Sequence, residues 1–208
     1  MRHGPRDRDQ IALTFDMGGR VGDAVAIVDY LIAHDVHASV FMTGAMADNT
    51  ATDAGRVVLE RIEAHPGLLT LGNHSYTHRD FRTLTRADIR SELQRTATAL
   101  RTACSQDPRP FFRPPNGGYD ADVLAAVGAA GYRYTVTWDV DTIDWRPVRN
   151  DPPGPTADEI VTKVLAKAEG GSIVLMHLGG YHTLEALPRI VAGLREAGYD
   201  LVSLDEMF

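Results

Sequence analysis

Two histidines, His74 and His78, stand four residues apart in the stretch NHSYTHRD. In an extended chain their Cα atoms would lie ~13 Å apart at ~3.3 Å per residue, forcing both imidazoles into a nearly linear grip on one ion. A helical turn would bring them to one face about 6 Å apart, a spacing that suits the tetrahedral angles and ~2 Å bonds of zinc. Surface and capping histidines share this spacing, so the pair alone leaves both readings open. Asp16 ends an apolar run in TFDMGG, and the glycines behind it let the backbone turn and another group approach the carboxylate. An aspartate there can equally be a turn or capping residue. His177 ends a second apolar run, SIVLMH, again with glycines behind it; a lone histidine of this kind is usually a satisfied core residue. Arg113 lies in FFRPPNGGYD between a strand-like start and a Pro-Pro corner, where the plain reading is a tight turn with an exposed cation. The histidine pair, Asp16 and His177, arriving together at apolar run ends, point to one shared rim.

The elements that must carry these residues are short and apolar. Seven β-rich runs recur at 11–16, 38–44, 68–74, 111–115, 132–140, 172–177 and 200–204. Helical spacing lies between them: Val25, Val28 and Ile32; Leu59 and Ile62; and Ile89, Leu93, Ala97 and Leu100 each form a stripe for a core. Thr85 with Asp88, and Thr156 with Glu159, have the spacing of capped helix starts. The Pro-rich stretch 146–156 reads as a surface excursion, since strands resume after it. Strands alternating with helices imply a mostly parallel sheet buried on both faces. Asp16, His74, Arg113, Asp139, Asp141 and His177 all fall at or just past strand C-terminal ends, where both barrels and open sheets bind ligands; both architectures fit.

With 208 residues, 44% of them hydrophobic, the chain suits one domain with a sizeable core, two small domains being the alternative. A net charge of −7 without a basic stripe argues against nucleic acid or an anionic membrane surface as partner. Cys104 is the one cysteine and reads as a small hydrophobe. No run reaches the ~18 apolar residues of a membrane span, and residues 1–10 are too polar and short for a signal peptide, so a soluble chain is expected. No protein partner is indicated. His34 and His37 read as cap or surface groups; His182 as a turn contact or a substrate contact; Tyr76 and Tyr119 as sugar-stacking or half-buried surface rings.

In order and spacing, five stretches resemble the motifs of the polysaccharide deacetylases of the NodB type, carbohydrate esterase family four: TFDMGG, HSYTH (74–78), RPPNG (113–117), DTIDW (141–145) and IVLMH (173–177). The resemblance runs from Ile11 to about Leu204. It implies an α/β fold, a distorted (β/α) barrel of about seven mostly parallel strands, with residues 1–10 as an N-terminal segment and 11–208 as the catalytic domain. It implies a divalent metal, zinc by expectation, on His74 and His78. Asp16 would be the general base, held by a bidentate Arg113; His177 the general acid, oriented by Asp144; Asn116 would offer a backbone N–H to the oxyanion; Trp145 and Leu175 would wall a pocket for the acetyl methyl. The implied partner is an acetylated polysaccharide, peptidoglycan or chitin-like, and the implied location is secreted or cell-wall associated.

One position departs from the family pattern. Members usually have a second aspartate, a metal ligand, where this chain has Met17. A neutral thioether is a poor zinc ligand, so metal affinity is expected to be weakened at least, with water or a rim carboxylate such as Asp16, Asp139 or Asp141 completing the shell, and lost at most. Two alternatives to N-deacetylation follow: an O-acetyl esterase acting on xylan, and a catalytically silent glycan-binding domain.

Overall fold

The computed structural model describes all of residues 1–208. The apolar runs form β1 (Gln10–Met17), β2 (Ala38–Met42), β3 (Leu69–Asn73), β4 (Phe111–Phe112), β5 (Tyr134–Thr135), β6 (Val140–Asp141), β7 (Ile173–His177) and β8 (Asp200–Leu201). Between them lie α1 (Ala24–Ala33), α2 (Gly44–Ala47), α3 (Ala54–Ala64), α4 (Arg86–Leu100), α5 (Ala121–Ala129), α6 (Ala157–Lys167), α7 (Thr183–Glu196) and, at the end, α8 (Leu204–Met207). Strand order is β5-β4-β3-β2-β1-β7-β6, with β8 pairing the start of β1, and all these ladders are parallel.

The order explains why the expected strand at 132–140 is broken. Its first part pairs β4 and its last part pairs β7, at opposite edges of the sheet. One straight strand cannot do both, so residues 136–139 cross the gap: the Val136 N–H donates to Phe112 O at 2.8 Å and the Asp139 N–H to Ile173 O at 3.2 Å. Five steps of ~3.3 Å bring the two edges within roughly 17 Å of each other. The sheet is therefore curled into a distorted, incompletely closed (β/α) barrel with seven parallel strands on its path. Residues 1–4 lie against this seam, with Met1 O accepting from the Thr137 N–H at 2.7 Å and the Gly4 N–H donating to Gly171 O at 2.7 Å.

Alternation along the strands sorts the core into two layers. Leu13, Phe15 and Met17 join Val40, Met42 and Leu71 in the large cluster under the helices, whereas Ala12, Phe41, Phe111 and Ile173 pack in a separate inner cluster. Thr14 and Asp16 share the parity of Ala12, which places two polar groups on the inner side. On α1 the buried face is Ala24, Ile27, Val28 and Leu31, so the stripe expected through Val25 and Ile32 is rotated; those two are half-buried. The stripes of α3 and α4 lie as expected. Thr85 Oγ1 accepts from the Asp88 N–H at 3.2 Å, and Thr156 with Glu159 forms a reciprocal capping box. Residues 146–156 form a mainly exposed loop joining β6 to α6, and Cys104 is buried in the main apolar cluster.

Candidate active site

Asp16 and His177 are register partners in the β1–β7 ladder, which sets their Cα atoms about 4.8 Å apart at the strands' C-terminal ends. Two neighbouring strands deliver the rest. The Arg113 N–H, one residue past β4, donates to Asn73 O at 2.9 Å, and the His74 N–H donates to Met42 O at 3.1 Å. Parallel register thus lines up the four groups without any local motif spanning them.

Arg113 is fully buried. Its fork is split rather than bidentate on Asp16: Nη1 donates to Asp16 Oδ1 at 2.8 Å and Nη2 to Thr14 Oγ1 at 2.8 Å. The i, i+2 spacing of Thr14 and Asp16 puts both acceptors on the same strand face, which is why one guanidinium reaches both. The Phe41 ring lies 4.2 Å beneath the guanidinium carbon. Burial alone would raise the Asp16 carboxyl. The surrounding charges of His74, Arg113 and His177, with the Arg113 hydrogen bond, outweigh that and hold Asp16 below the usual carboxylate range. Arg113 is the permanent cation among the three.

His74 and His78 do come together, with ring centroids 4.9 Å apart and planes at 72°. A helical turn is not the means. Ser75 and His78 adopt left-handed φ values of 67° and 58°, which fold the loop back on itself. Glu92, a buried carboxylate on α4, holds that loop: its Oε2 accepts from the N–H groups of Tyr76 at 2.9 Å and Thr77 at 2.8 Å, and its Oε1 accepts from the Thr77 hydroxyl at 2.9 Å. His74 Nδ1 lies 2.9 Å from Arg113 O, so it must be the protonated nitrogen. Nε2 then carries a lone pair, and it faces Asp16 Oδ2 at 3.3 Å.

Two acceptors at that distance repel unless a proton or a cation lies between them. Burial pushes the His74 pKa down to about 4, so the proton is absent at neutral pH. Burial also lowers that of His78. The donor set therefore fits a cation held by two neutral imidazoles beside a carboxylate. A third side-chain ligand is missing: no group of three or more His, Cys, Asp or Glu side chains is arranged to hold a metal ion. Met17 is fully buried in the helix-side cluster, one residue out of phase with Asp16, and supplies no donor. Asp139 does not join the rim. It turns away, accepting from Arg6 at 2.8 Å, Ser172 at 2.9 Å and the Ile173 N–H at 2.8 Å. Asp141 stays in the pocket wall, with Oδ1 capping the Ile143 N–H at 2.8 Å.

On the opposite wall His177 Nδ1 donates to Asp144 Oδ1 at 2.7 Å. Asp144 is fully buried, and its Oδ2 accepts from the His177 N–H at 2.8 Å and the Thr183 hydroxyl at 2.6 Å. Gly180 makes room for this: a Cβ there would come within 2.4 Å of Asp144 Oδ2. Burial disfavours the His177 cation, but the hydrogen bond and charge of Asp144, and then Asp16, prevail and raise its pKa. One pocket thus carries an acidic-range carboxylate and a raised imidazole side by side.

That pocket has a volume of about 360 Å³, and Asn116, Trp138, Trp145 and Leu175 also line it. Asn116 adopts φ 56°, ψ 16° at the corner after Pro115, and its N–H donates to no group of the chain. Leu175 is buried and Trp145 is 49% exposed. A groove of similar size, about 370 Å³, lies between α2 and α4, lined by Asp48, Tyr76 and Arg95, but it holds no acid–base pair. Tyr76 is engaged there by Asp48 at 2.9 Å and by Arg95 over its ring at 3.7 Å, while Tyr119 is exposed. His182 makes a local contact with Glu185 at 3.0 Å, His37 pairs with Glu206 at 2.8 Å, and His34 caps α1.

Sequence reading missed Thr14, Glu92, Trp138 and Thr183. Glu92 had a legible signal, since it lies inside the apolar stripe of α4 three residues after Ile89. The others carry none without the register.

A family model described as polysaccharide deacetylase matches residues 3–135. The chain is 30% identical over 209 residues to a peptidoglycan-N-acetylglucosamine deacetylase of Bacillus cereus, covering 99% of this chain and 70% of that protein. It is 30% identical over 212 residues to a chitooligosaccharide deacetylase of a Bradyrhizobium species, covering 95% and 90% respectively. Among solved structures, the wild-type form of a CE4 family pseudoenzyme from Bacillus anthracis aligns with a TM-score of 0.84 at 29% identity, over 100% of this chain and 68% of that one. A mutant of that pseudoenzyme with restored enzymatic activity aligns with a TM-score of 0.85 at 30% identity, over 100% and 70%.

Proposed function

The chain belongs to the polysaccharide deacetylase family, and from that premise we propose that it hydrolyses acetyl groups from an N-acetylated polysaccharide, peptidoglycan or chitin-like. The observation that carries this reading is the juxtaposition of two oppositely tuned groups, Asp16 with its pKa lowered by His74 and Arg113 and His177 with its pKa raised by Asp144, adjacent in the β1–β7 ladder.

Asp16 Oδ2 takes a proton from the attacking water as the water oxygen bonds to the acetyl carbon, and the carbonyl oxygen becomes an oxyanion. The Asn116 N–H donates to that oxyanion; one such donor is worth ~3 to 4 kcal/mol in comparable sites. As the C–N bond breaks, His177 passes its proton to the leaving nitrogen, which would otherwise depart as an amide anion. Asp144 raises the His177 pKa and aims the ring, and Arg113 favours the ionised form of Asp16 until it accepts its proton. Leu175 and Trp145 exclude water from the acetyl methyl. His74 and His78 would hold a divalent cation, zinc by expectation, and such a cation when bound supplies Lewis-acid polarisation of the carbonyl and of the water.

Acetate release from N-acetylglucosamine oligomers and from acetylated xylan, with zinc added, tests the reading. Release from the oligomers supports it, and release from xylan alone makes the protein an O-acetyl esterase. No release from either, with glycan still bound, makes it a silent carbohydrate-binding member. The relatives' named substrates support a secreted or cell-wall location. No helix is long and apolar enough to cross a membrane.

A further inference from the structure

The catalytic pocket does not end at His177. A second recess of about 190 Å³ shares Asp16, Gly18, Trp145 and His177 with it and continues past them to Arg20 and Tyr181. A groove therefore runs through the proton carriers, with room on the far side for the part of a polymer next to the acetylated sugar.

Arg20 stands exposed at the lip of that recess and makes no ion pair. It is nevertheless fixed. Nη1 donates to the carbonyls of Gly179 and, at 3.1 Å, Gly180, and the guanidinium carbon lies 4.3 Å over the Tyr181 ring. The loops after β1 and β7 touch so closely that a Cβ on Gly179 would come within 1.9 Å of Arg20 O. Nε and Nη2 are left without partners in the chain, on a side chain whose freedom is already restricted. A guanidinium with two adjacent free donors matches a carboxylate better than it matches sugar hydroxyls, and little ordering entropy remains to be lost on binding. Asp16, the carboxylate in the shared wall, has its own cation in Arg113.

Resting on the deacetylase reading above, we infer that Arg20 selects glycans bearing a carboxylate on the sugar next to the one deacetylated, so that acidic chains are the preferred substrate class over neutral ones.

The test uses peptide-free peptidoglycan strands, which carry a lactyl carboxylate on alternate sugars, and the same strands with that carboxylate amidated. The wild-type protein should favour the acidic strands in kcat/KM by about tenfold, as expected for one charge-assisted contact, and the ratio should shrink as salt rises. Arg20→Gln should bring it to about one, and Arg20→Lys should leave it in between. Equal turnover of both strands by the wild-type protein, or an unchanged ratio in Arg20→Gln, overturns the inference. Both tryptophans of the chain line the groove, so quenching of their fluorescence reads affinity for the two strands without turnover. If no acetate is released at all, the deacetylase reading fails, while a carboxylate preference in that titration still decides the role of Arg20. Thermal melts separate a folding defect in Arg20→Gln from a lost preference.

Discussion

Replacing Arg113 by methionine keeps most of the apolar volume and deletes the one permanent cation beside Asp16. The structure sets the size of the effect. Arg113 is fully buried, and its removal leaves a carboxylate only 5% exposed without its 2.8 Å partner and Thr14 without its donor. Breaking a buried pair from one side costs about 3–5 kcal/mol, a large share of the 5–15 kcal/mol that typically separates folded from unfolded. For a domain of this length that is about 6–20 °C in Tm at neutral pH. The pH dependence makes the argument specific. In the wild-type protein the folded pKa of Asp16 is lowered, so its contribution is present above the unfolded value near 4 and is lost only as pH falls through the lower folded value. In Arg113→Met, burial is opposed only by His74 and His177, which carry charge only when protonated, and the folded pKa should move up toward or past the unfolded one. Protonation then relieves the variant, and its deficit against wild type should narrow as pH falls from 8 to 5. Melts followed by circular dichroism across that range measure it, with Asp16→Asn/Arg113→Met expected to be more stable than Arg113→Met alone at pH 8. A deficit under about 2 °C at pH 8, or one that stays flat with pH, would refute the assigned role of the pair.

Asp144→Asn removes the group that raises the His177 pKa, so the alkaline limb of the pH–rate profile should move to lower pH, with kcat falling more than KM changes. Glu92→Gln can keep one oxygen on the N–H groups of Tyr76 and Thr77 but loses the charge and turns an NH₂ toward the Thr77 hydroxyl, which must then accept; zinc affinity by calorimetry should fall by about tenfold, the low end for groups that orient ligands. Met17→Asp should lower Tm at neutral pH, read from melts by circular dichroism, because it buries an unpaired carboxylate among the apolar side chains on the helix side of β1. Gly180→Ala should displace Asp144 or Thr183 and reproduce the Asp144→Asn shift in weaker form, read from the same profile.

The strand–helix alternation was legible because short apolar runs and capped helix starts are local signals, and Thr85 and Thr156 mark their helices as the spacing requires. What was not legible depends on how the chain closes. The run 132–140 has strand composition throughout, yet it must leave one sheet edge and reach the other, a demand made by the remainder of the fold and not by its own residues. The loop that unites His74 and His78 rests on two left-handed residues and on Glu92 from a helix that follows later, so neither a helical nor an extended spacing rule describes it. Arg113 was visible as an oddity before two prolines, but its division between Thr14 and Asp16 follows from the i, i+2 parity of a different strand.

That division bears on how the chain can carry Met17 at the end of β1 and keep the polar groups of the inner face in place. The proposed proton carriers are fixed by protein contacts: Asp16 by Arg113, His177 by Asp144, and Asp144 by Thr183. None of these contacts passes through position 17, which lies on the other face of β1 among apolar side chains. A methionine there adds packing to the helix-side core without disturbing the contacts of Asp16 on the inner face. The 3.3 Å approach of His74 Nε2 to Asp16 Oδ2 is a contact between two acceptors that the protein's own groups leave unbalanced.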